Sequence, residues 1–540
     1  MRGPAIVSAL LFAALPAIAA VPALESVFPA GGKQGAEIDV TLSGKIEPWP
    51  CAIWFSEKGL TFTPDPAKAG TGKIRIEASV KPGPVYLRAH NAEGASPPLL
   101  FIVGDQTEIN EEEKDNSTLA GAIALDRAKL PFVINGTLSA GGELDVYRLP
   151  LEKGETLHAR VEGYGLRSLI DPALHLHDAA GNRLILQHDG PANLDPGFTF
   201  TAPEKGDYLI SLAGFSHPPA ASVAYTGSKN SHYRLHLALK PGQIPARLVP
   251  TDLGADTVAG PVTPGKAVVG TLAKAATPMV YPLTAKKGEV HLIRVEGRAL
   301  GFPIDPVMRL LKADGSEIRK EDDSNKTSDP EYLWTVSADG DYQVEVSDRF
   351  SRGGPEMRYR LTLSPSTPDF TATLDKAQYA MERGKPLEIK ATVTRLRGHK
   401  EKLVASVTGL PAGITLTAPE VPEKGGEVIL KLEAKADAAG FSGPLRVVFK
   451  EEKAEGAKSE KTAVFSFKDD NYRGAYAIDE IESVWLALPP VKEEPKKEAP
   501  KKEEKKEEKK PEPKKEEPKK PEAKKEEPKK PEARKEEPKK

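Results

Sequence analysis

The chain has 540 residues, more than one hydrophobic core usually supports, and typical domains of about 100–150 residues predict roughly three to five of them. Aromatic residues make up only 6%, whereas Pro and Gly number 49 and 46, a balance that favours short strands and frequent turns over long helices. Of 76 Lys/Arg and 78 Asp/Glu, 21 and 16 fall in residues 492–540, leaving 55 and 62 elsewhere, a net of −7 that offers no basic field to nucleic acid.

Residues 1–19 read as a cleavable signal peptide: Arg2, an apolar run from Ala5 to Leu15, then the small-residue pattern Ala17-Ile18-Ala19. The expected destination is the periplasm, cell envelope or exterior. No later apolar run approaches the ~20 residues of a bilayer span, so no membrane span is expected. Cys51 is the only cysteine, which rules out an internal disulfide and is read as a small buried hydrophobe.

Period-two alternation begins at Glu37-Ile38-Asp39-Val40-Thr41-Leu42 and returns at Lys73-Ile74-Arg75-Ile76 and Val85-Tyr86-Leu87-Arg88, which predicts an immunoglobulin-like β-sandwich over 20–105. An internal repeat follows. An offset of 134 residues superposes Tyr147 on Tyr281, Val161-Glu162-Gly163 on Val295-Glu296-Gly297, Asp171-Pro172 on Asp305-Pro306, Asp189 on Asp323 and Gly206-Asp207-Tyr208 on Gly340-Asp341-Tyr342. Tyr233-Arg234-Leu235 and Tyr359-Arg360-Leu361 close the copies at an offset of 126, so the first copy holds eight extra residues, an enlarged loop containing His217-Pro218-Pro219. Two homologous sandwiches or jelly rolls are predicted, over 106–240 and 245–365.

A fourth, immunoglobulin-like sandwich is predicted over 366–468, with 469–491 as a connecting segment. From 492 to 540 the decapeptide Lys-Lys-Glu-Glu-Pro-Lys-Lys-Pro-Glu-Ala recurs without any large apolar residue. Such a segment cannot bury enough surface to offset its ordering entropy and is expected to be a disordered tail. The fold class is thus all-β, tandem sandwiches in a row.

The tandem units resemble the bacterial pre-peptidase C-terminal domain, which opens on an acidic run followed by Gly-Asp-x-Asp-x-Tyr. Glu111-Glu112-Glu113-Lys114-Asp115-Asn116 and Gly142-Glu143-Leu144-Asp145-Val146-Tyr147 match these patterns, with Lys114 and Glu143 departing from them. Similar tandem arrangements behind a Pro-x-Gly-Gly-x-x-Gly sandwich, here Pro29 to Gly35, occur in secreted proteins of planctomycete-type bacteria.

The resemblance implies a Ca2+ site at Glu111, Glu113, Asp115, Asn116, Glu143 and Asp145, oxygen donors of the kind a hard cation requires. The alternative is a solvated acidic linker. The second copy has Met279 and Thr277 where the first has Asp145 and Glu143, so no equivalent site is expected there. His175, His177 and His188 suggest a metal site less well, because no ligand spacing accompanies them, and a solvated strand face is the expectation. Asp171, Asp305, Asp189 and Asp323 are read as Asx-type turn residues.

No Gly-x-Ser-x-Gly elbow, His-Glu-x-x-His pair or phosphate-cradling loop is present. The sequence therefore predicts an exported, non-catalytic binding or scaffolding protein whose partner is a protein or polysaccharide. Two alternatives remain: an accessory or inhibitory partner of a secreted hydrolase, and an unrecognised hydrolase.

Overall fold

The computed structural model describes residues 20–111, 115–190, 193–257, 260–324, 327–452, 458–469 and 476–491. The expected signal peptide, Glu113 and the 492–540 tail lie outside them. Among the described residues the only helical elements are five three-residue 3-10 turns, and everything else regular is strand. Among the described residues no helix is long and apolar enough to cross a membrane.

Four two-sheet sandwiches follow one another in the chain. The first stacks the sheet Ala23–Phe28, Glu37–Lys45, Thr71–Ile76, Leu60–Pro64 on the sheet Gly31–Lys33, Leu99–Gly104, Gly83–Asn91, Ala52–Phe55. Alternation places Ile74, Leu87 and Phe101 inside, with Cys51 buried among them as expected.

In the first repeat, Phe132–Thr137, His232–Ala238, Thr156–Glu162 and Gly197–Thr201 form one sheet and Asp145–Leu151, Gly206–Ser216, Ile170–Asp178 and Arg183–Gln187 the other. The linker strand Thr107–Asn110 extends the former by pairing in parallel with Phe132–Thr137. The second repeat reproduces both orders strand for strand: Ala267–Thr271, Arg358–Pro365, Val290–Glu296, Glu331–Thr335, and Met279–Ala285, Gly340–Asp348, Pro306–Lys312, Glu317–Glu321.

The repeat extends to its internal polar groups. Tyr147 and Tyr233 share a hydroxyl hydrogen bond of 2.6 Å between the sheets, and Tyr281 and Tyr359 one of 2.8 Å. Gly136 and Gly270 make room for these hydroxyls, since a Cβ there would lie 2.2 and 2.4 Å from the nearest one. Asp195 accepts the N–H groups of Gly163, Tyr164 and Gly165, and Asp329 those of Gly297, Arg298 and Ala299. These two carboxylates hold the repeated turn. Asp171, by contrast, accepts no backbone N–H among the described residues and has His188 beside one of its oxygens.

The fourth sandwich requires a correction. Its second sheet runs Gln378–Ala380, Val484–Leu488, Phe441–Glu451, Leu403–Thr408, so the segment 469–491 supplies an interior strand and is not a connector. Val484-Trp485-Leu486-Ala487-Leu488 is apolar at every position, as suits a strand covered on both faces.

One face of that strand is covered by the first sandwich. Trp485 packs edge-on against Trp54 at 5.7 Å and at a tilt against His90 at 5.1 Å, with the Arg88 guanidinium 5.9 Å above its ring. Arg88, itself buried, donates to Ser96 O and across to Ala377 O. Nearby, Arg167 of the first repeat lies 4.1 Å above Phe467 and 3.8 Å from Asp479, while Phe467 stacks on Tyr86. Three sandwiches therefore meet at one junction.

A second joint ties the first sandwich and the linker after residue 240 to the first repeat. Arg234, fully buried, is held by both oxygens of Glu108 and lies 3.4 Å from Glu162. It fills the space beside Gly31, where a Cβ would sit 1.6 Å from its Nη1. Glu162 also accepts from His236 at 2.7 Å and is gripped by both Arg247 nitrogens. Burial alone would raise the Glu162 pKa, but Arg247 and His236 outweigh it and hold the carboxyl below its ordinary range. Removing Arg247 leaves this charge buried with fewer partners, so Arg247→Ala should cost about 3–5 kcal/mol in urea unfolding. Adding Glu162→Gln should recover part of the loss. The Glu162 contribution is present above the unfolded carboxylate range and disappears as pH falls through the depressed folded value.

Candidate metal centre

Six oxygen-bearing residues were expected to converge at the start of the first repeat, and the structure brings three of them together. Glu111 leaves the linker strand with its N–H on Asn135 O at 2.8 Å, and its carboxylate accepts from Asn116 Nδ2 (3.0 Å), Tyr147 OH (3.0 Å) and Thr137 N (3.2 Å). Asp145 begins the strand Asp145–Leu151, pinned to the same segment by Val146 N on Asn116 O. Glu143 stands at the edge of this group, lining the same cleft as Glu111 and Asn116 and adding to the negative charge felt by Asp145, and Asp115 does not join it. Glu143 folds back to accept Ala140 N at 2.6 Å and Asp115 caps Ser117 N at 3.2 Å, while Glu113 lies outside the described residues.

The electrostatics of the pair are unusual. Asp145 is 1% exposed, and neither of its carboxylate oxygens has a hydrogen-bond partner among the described residues. Burial, then the neighbouring Glu111 carboxylate, pushes its pKa up to about 8, and burial also raises that of Glu111. Among the described residues no Lys, Arg or His forms an ion pair with either. His232, on the adjacent strand, bonds Thr137 Oγ1 at 2.8 Å, and burial pushes its pKa down to about 4, so it supplies no charge near neutrality.

The second repeat shows what the same framework looks like with a cation supplied by the chain itself. Thr257 takes the backbone place of Glu111, its N–H on Val269 O at 2.8 Å, and Met279 takes that of Asp145. The one carboxylate left, Asp256, accepts from Thr271 Oγ1 at 2.9 Å and pairs with Arg358 at 3.3 Å. Arg358 occupies the strand position of His232. A buried and a half-buried carboxylate without a paired cation in one copy, against one exposed carboxylate paired with a cation in the other, is the contrast a bound metal would produce. Orphaned oxygens on a buried Asp, beside a carboxylate and an amide, fit a hard cation.

A cleft lined by Glu111, Asn116, Glu143 and Lys229 together with Phe28, Thr41 and Ser43 of the first sandwich reaches Glu111 of this pair. His175 and His177 lie on one strand with ring centroids 5.9 Å apart.

No protein-family model matches the chain, and no curated protein does. Among solved structures it is similar to the N-terminal four Ig domains of Dscam1 isoform 8.4, at 11% identity over 86% of this chain and 98% of that one with a TM-score of 0.17. It is similar also to domains 1-6 of the surface layer protein SbsC, at 10% identity over 83% and 55% with a TM-score of 0.14. A third likeness is to the M60 catalytic domain with two CBM51 domains from Clostridium perfringens ZmpB, at 11% identity over 82% and 39% with a TM-score of 0.16. Overlaps this low carry no argument about arrangement or activity. The tandem Ig-like sandwich architecture rests on the strand topology itself.

Proposed function

We propose that this chain is an exported, non-catalytic scaffold that presents loops of several sandwiches in fixed relation to an extracellular protein or polysaccharide. The observation that carries this reading is the junction around Trp485, Arg88 and Arg167, where the first sandwich, the first repeat and the fourth sandwich meet. Loops on rigid elements whose mutual positions are set lose less entropy on binding than loops on freely jointed domains. The resemblance to the pre-peptidase C-terminal domain supports the same reading, as does the first repeat's carboxylate pair. Glu111, Asp145 and Asn116 would hold Ca2+, whose charge would compensate the pair and tie the linker to the domain it enters.

The test immobilises the full chain and measures binding of envelope proteins and polysaccharides from its native exterior, with peptidase, esterase and glycosidase assays run beside it. Saturable binding without turnover is expected. Turnover that one point substitution removes, or no saturable binding to any of these, overturns the proposal.

A further inference from the structure

A second cluster in the first repeat lies apart from the Glu111 and Asp145 pair. Antiparallel pairing sets Leu174 opposite Gln187, which carries the next two residues, His188 and Asp189, alongside Asp171. His188 Nε2 is 3.3 Å from Asp171 Oδ2 and its Nδ1 is 3.7 Å from Asp189 Oδ1. Each of the three residues offers a ligand atom, all within 4.8 Å of one another. The other Asp171 oxygen, Oδ1, is buried without a hydrogen-bond partner among the described residues.

The second repeat again provides the comparison. There the aligned residues are Asp305, Asp322 and Asp323, and Arg349 reaches Asp322 at 3.2 Å and Asp323 at 3.4 Å. Arg349 stands beside Asp305 where the first repeat has Phe215 beside Asp171. The first repeat thus lacks the built-in guanidinium and places an imidazole where the second has a carboxylate. Phe215 packs its ring edge-on against that imidazole at 4.9 Å.

We propose that Asp171, His188 and Asp189 bind a divalent transition cation of the zinc class. Zinc takes imidazole nitrogen and carboxylate oxygen at about 2.0–2.2 Å in tetrahedral geometry, and bonds of that length set neighbouring ligand atoms roughly 3.3 Å apart. The separation of His188 Nε2 from Asp171 Oδ2 matches that edge, and Asp189, which lies nearest the opposite ring nitrogen, has to bring a carboxylate oxygen to the Nε2 side to complete the set. Calcium would want six to eight oxygens and gains nothing from the imidazole. His188 and Asp189 are exposed enough, at 43% and 58% of their side chains, to leave a fourth position open to water or to an acidic group on a partner.

The experiment uses the full chain stripped with chelator and titrated with Zn2+ by calorimetry, and with Co2+ followed by its visible absorption. The expected result is one site whose affinity falls at least tenfold in His188→Ala and in Phe215→Arg, the second variant supplying the cation that the other repeat carries. Phe215→Arg should keep the parent melting profile, and Asp189→Asn, at an exposed position, repeats the test if it does not. His175→Ala should bind as the parent does. Failure of the stripped parent to bind Zn2+ or Co2+, retention of affinity in both His188→Ala and Asp189→Asn, or loss only in His175→Ala overturns the proposal.

Discussion

Chelator-treated protein should gain stability on adding Ca2+, and the gain should vanish in Asp145→Asn. If the ion binds the folded first repeat and not the unfolded chain, a hundredfold excess over Kd adds about 2.7 kcal/mol. For a cooperative unit of this size, in which ~1 kcal/mol shifts Tm by roughly 3–6 °C, that moves Tm by roughly 8–16 °C. The pH dependence distinguishes a metal from a shared proton. Burial raises the Asp145 pKa to about 8, with Glu111 and then Glu143 adding to it, whereas the unfolded value is about 3.9. Between those values the folded state keeps a proton that the unfolded state has released, so without metal this group's contribution declines as pH rises from about 4 to about 8. Ca2+ replaces that proton, so its stabilisation should grow with pH over the same window and binding at neutral pH should release protons, visible by calorimetry in buffers of different ionisation enthalpy. His232, with its pKa lowered by burial to about 4, contributes stability that rises with pH between about 4 and 6.5 with or without Ca2+ and so drops out of the Ca2+ difference, and the Tyr147 and Tyr233 hydroxyls titrate far above the window. An identical Ca2+ response in Asp145→Asn, or none in the parent from pH 5 to 9, would return the acidic run to an ordinary linker.

Ending the chain after residue 468 should abolish folding of the fourth sandwich, whereas ending it after 491 should leave that sandwich intact. The strand Val484–Leu488 sits between Gln378–Ala380 and Phe441–Glu451, and Val484, Trp485, Leu486 and Leu488 are buried to within 2%. At about 1.5–3 kcal/mol for each large side chain, its removal takes away roughly 6–12 kcal/mol, comparable to the whole stability of a typical domain. Calorimetry of the two truncations checks this, the shorter form lacking one unfolding transition. Trp485→Ala alone should cost about 3–5 kcal/mol and also empty the space facing Trp54 and His90. An unchanged set of transitions in the form ending at 468 would show that another segment completes the sheet.

The repeat was legible because it is written in residues that the fold needs twice: the tyrosine pair, the Asp-Pro steps, the Gly-Asp-Tyr turns. The same 134-residue offset also aligns Asp195-Pro196 with Asp329-Pro330, so the turn-holding aspartates carried a signal that attention to Asp171 and Asp189 passed over. Their role depends on three N–H groups some 30 residues earlier, which no local pattern displays. Glu111 and Asp145 were legible as acidic residues near a strand start, but their isolation from positive charge was not. That needs the pairing of His232 and Arg358 to equivalent strands, where a change of one residue decides whether the counter-charge is covalently part of the chain. Val484 to Leu488 escaped because the charged tail begins only a few residues later and drew the whole segment toward it.

The junction at Trp485 also has a mechanical meaning. The first described residue, Ala20, lies in the sandwich that contacts the fourth, and the last, Val491, lies in the fourth itself. A pull between the chain's start and its tail would therefore load the ring and guanidinium contacts of Trp485 and Arg88 before it stretches the two repeats between them. Once those contacts and the Arg167 contacts to Phe467 and Asp479 part, the second repeat and its linkers become available as slack, while the Arg234 joint still holds the first repeat to the first sandwich. The protein would respond to tension in stages, stiff ones set by these side-chain clusters and a longer one set by the contour of the intervening sandwiches.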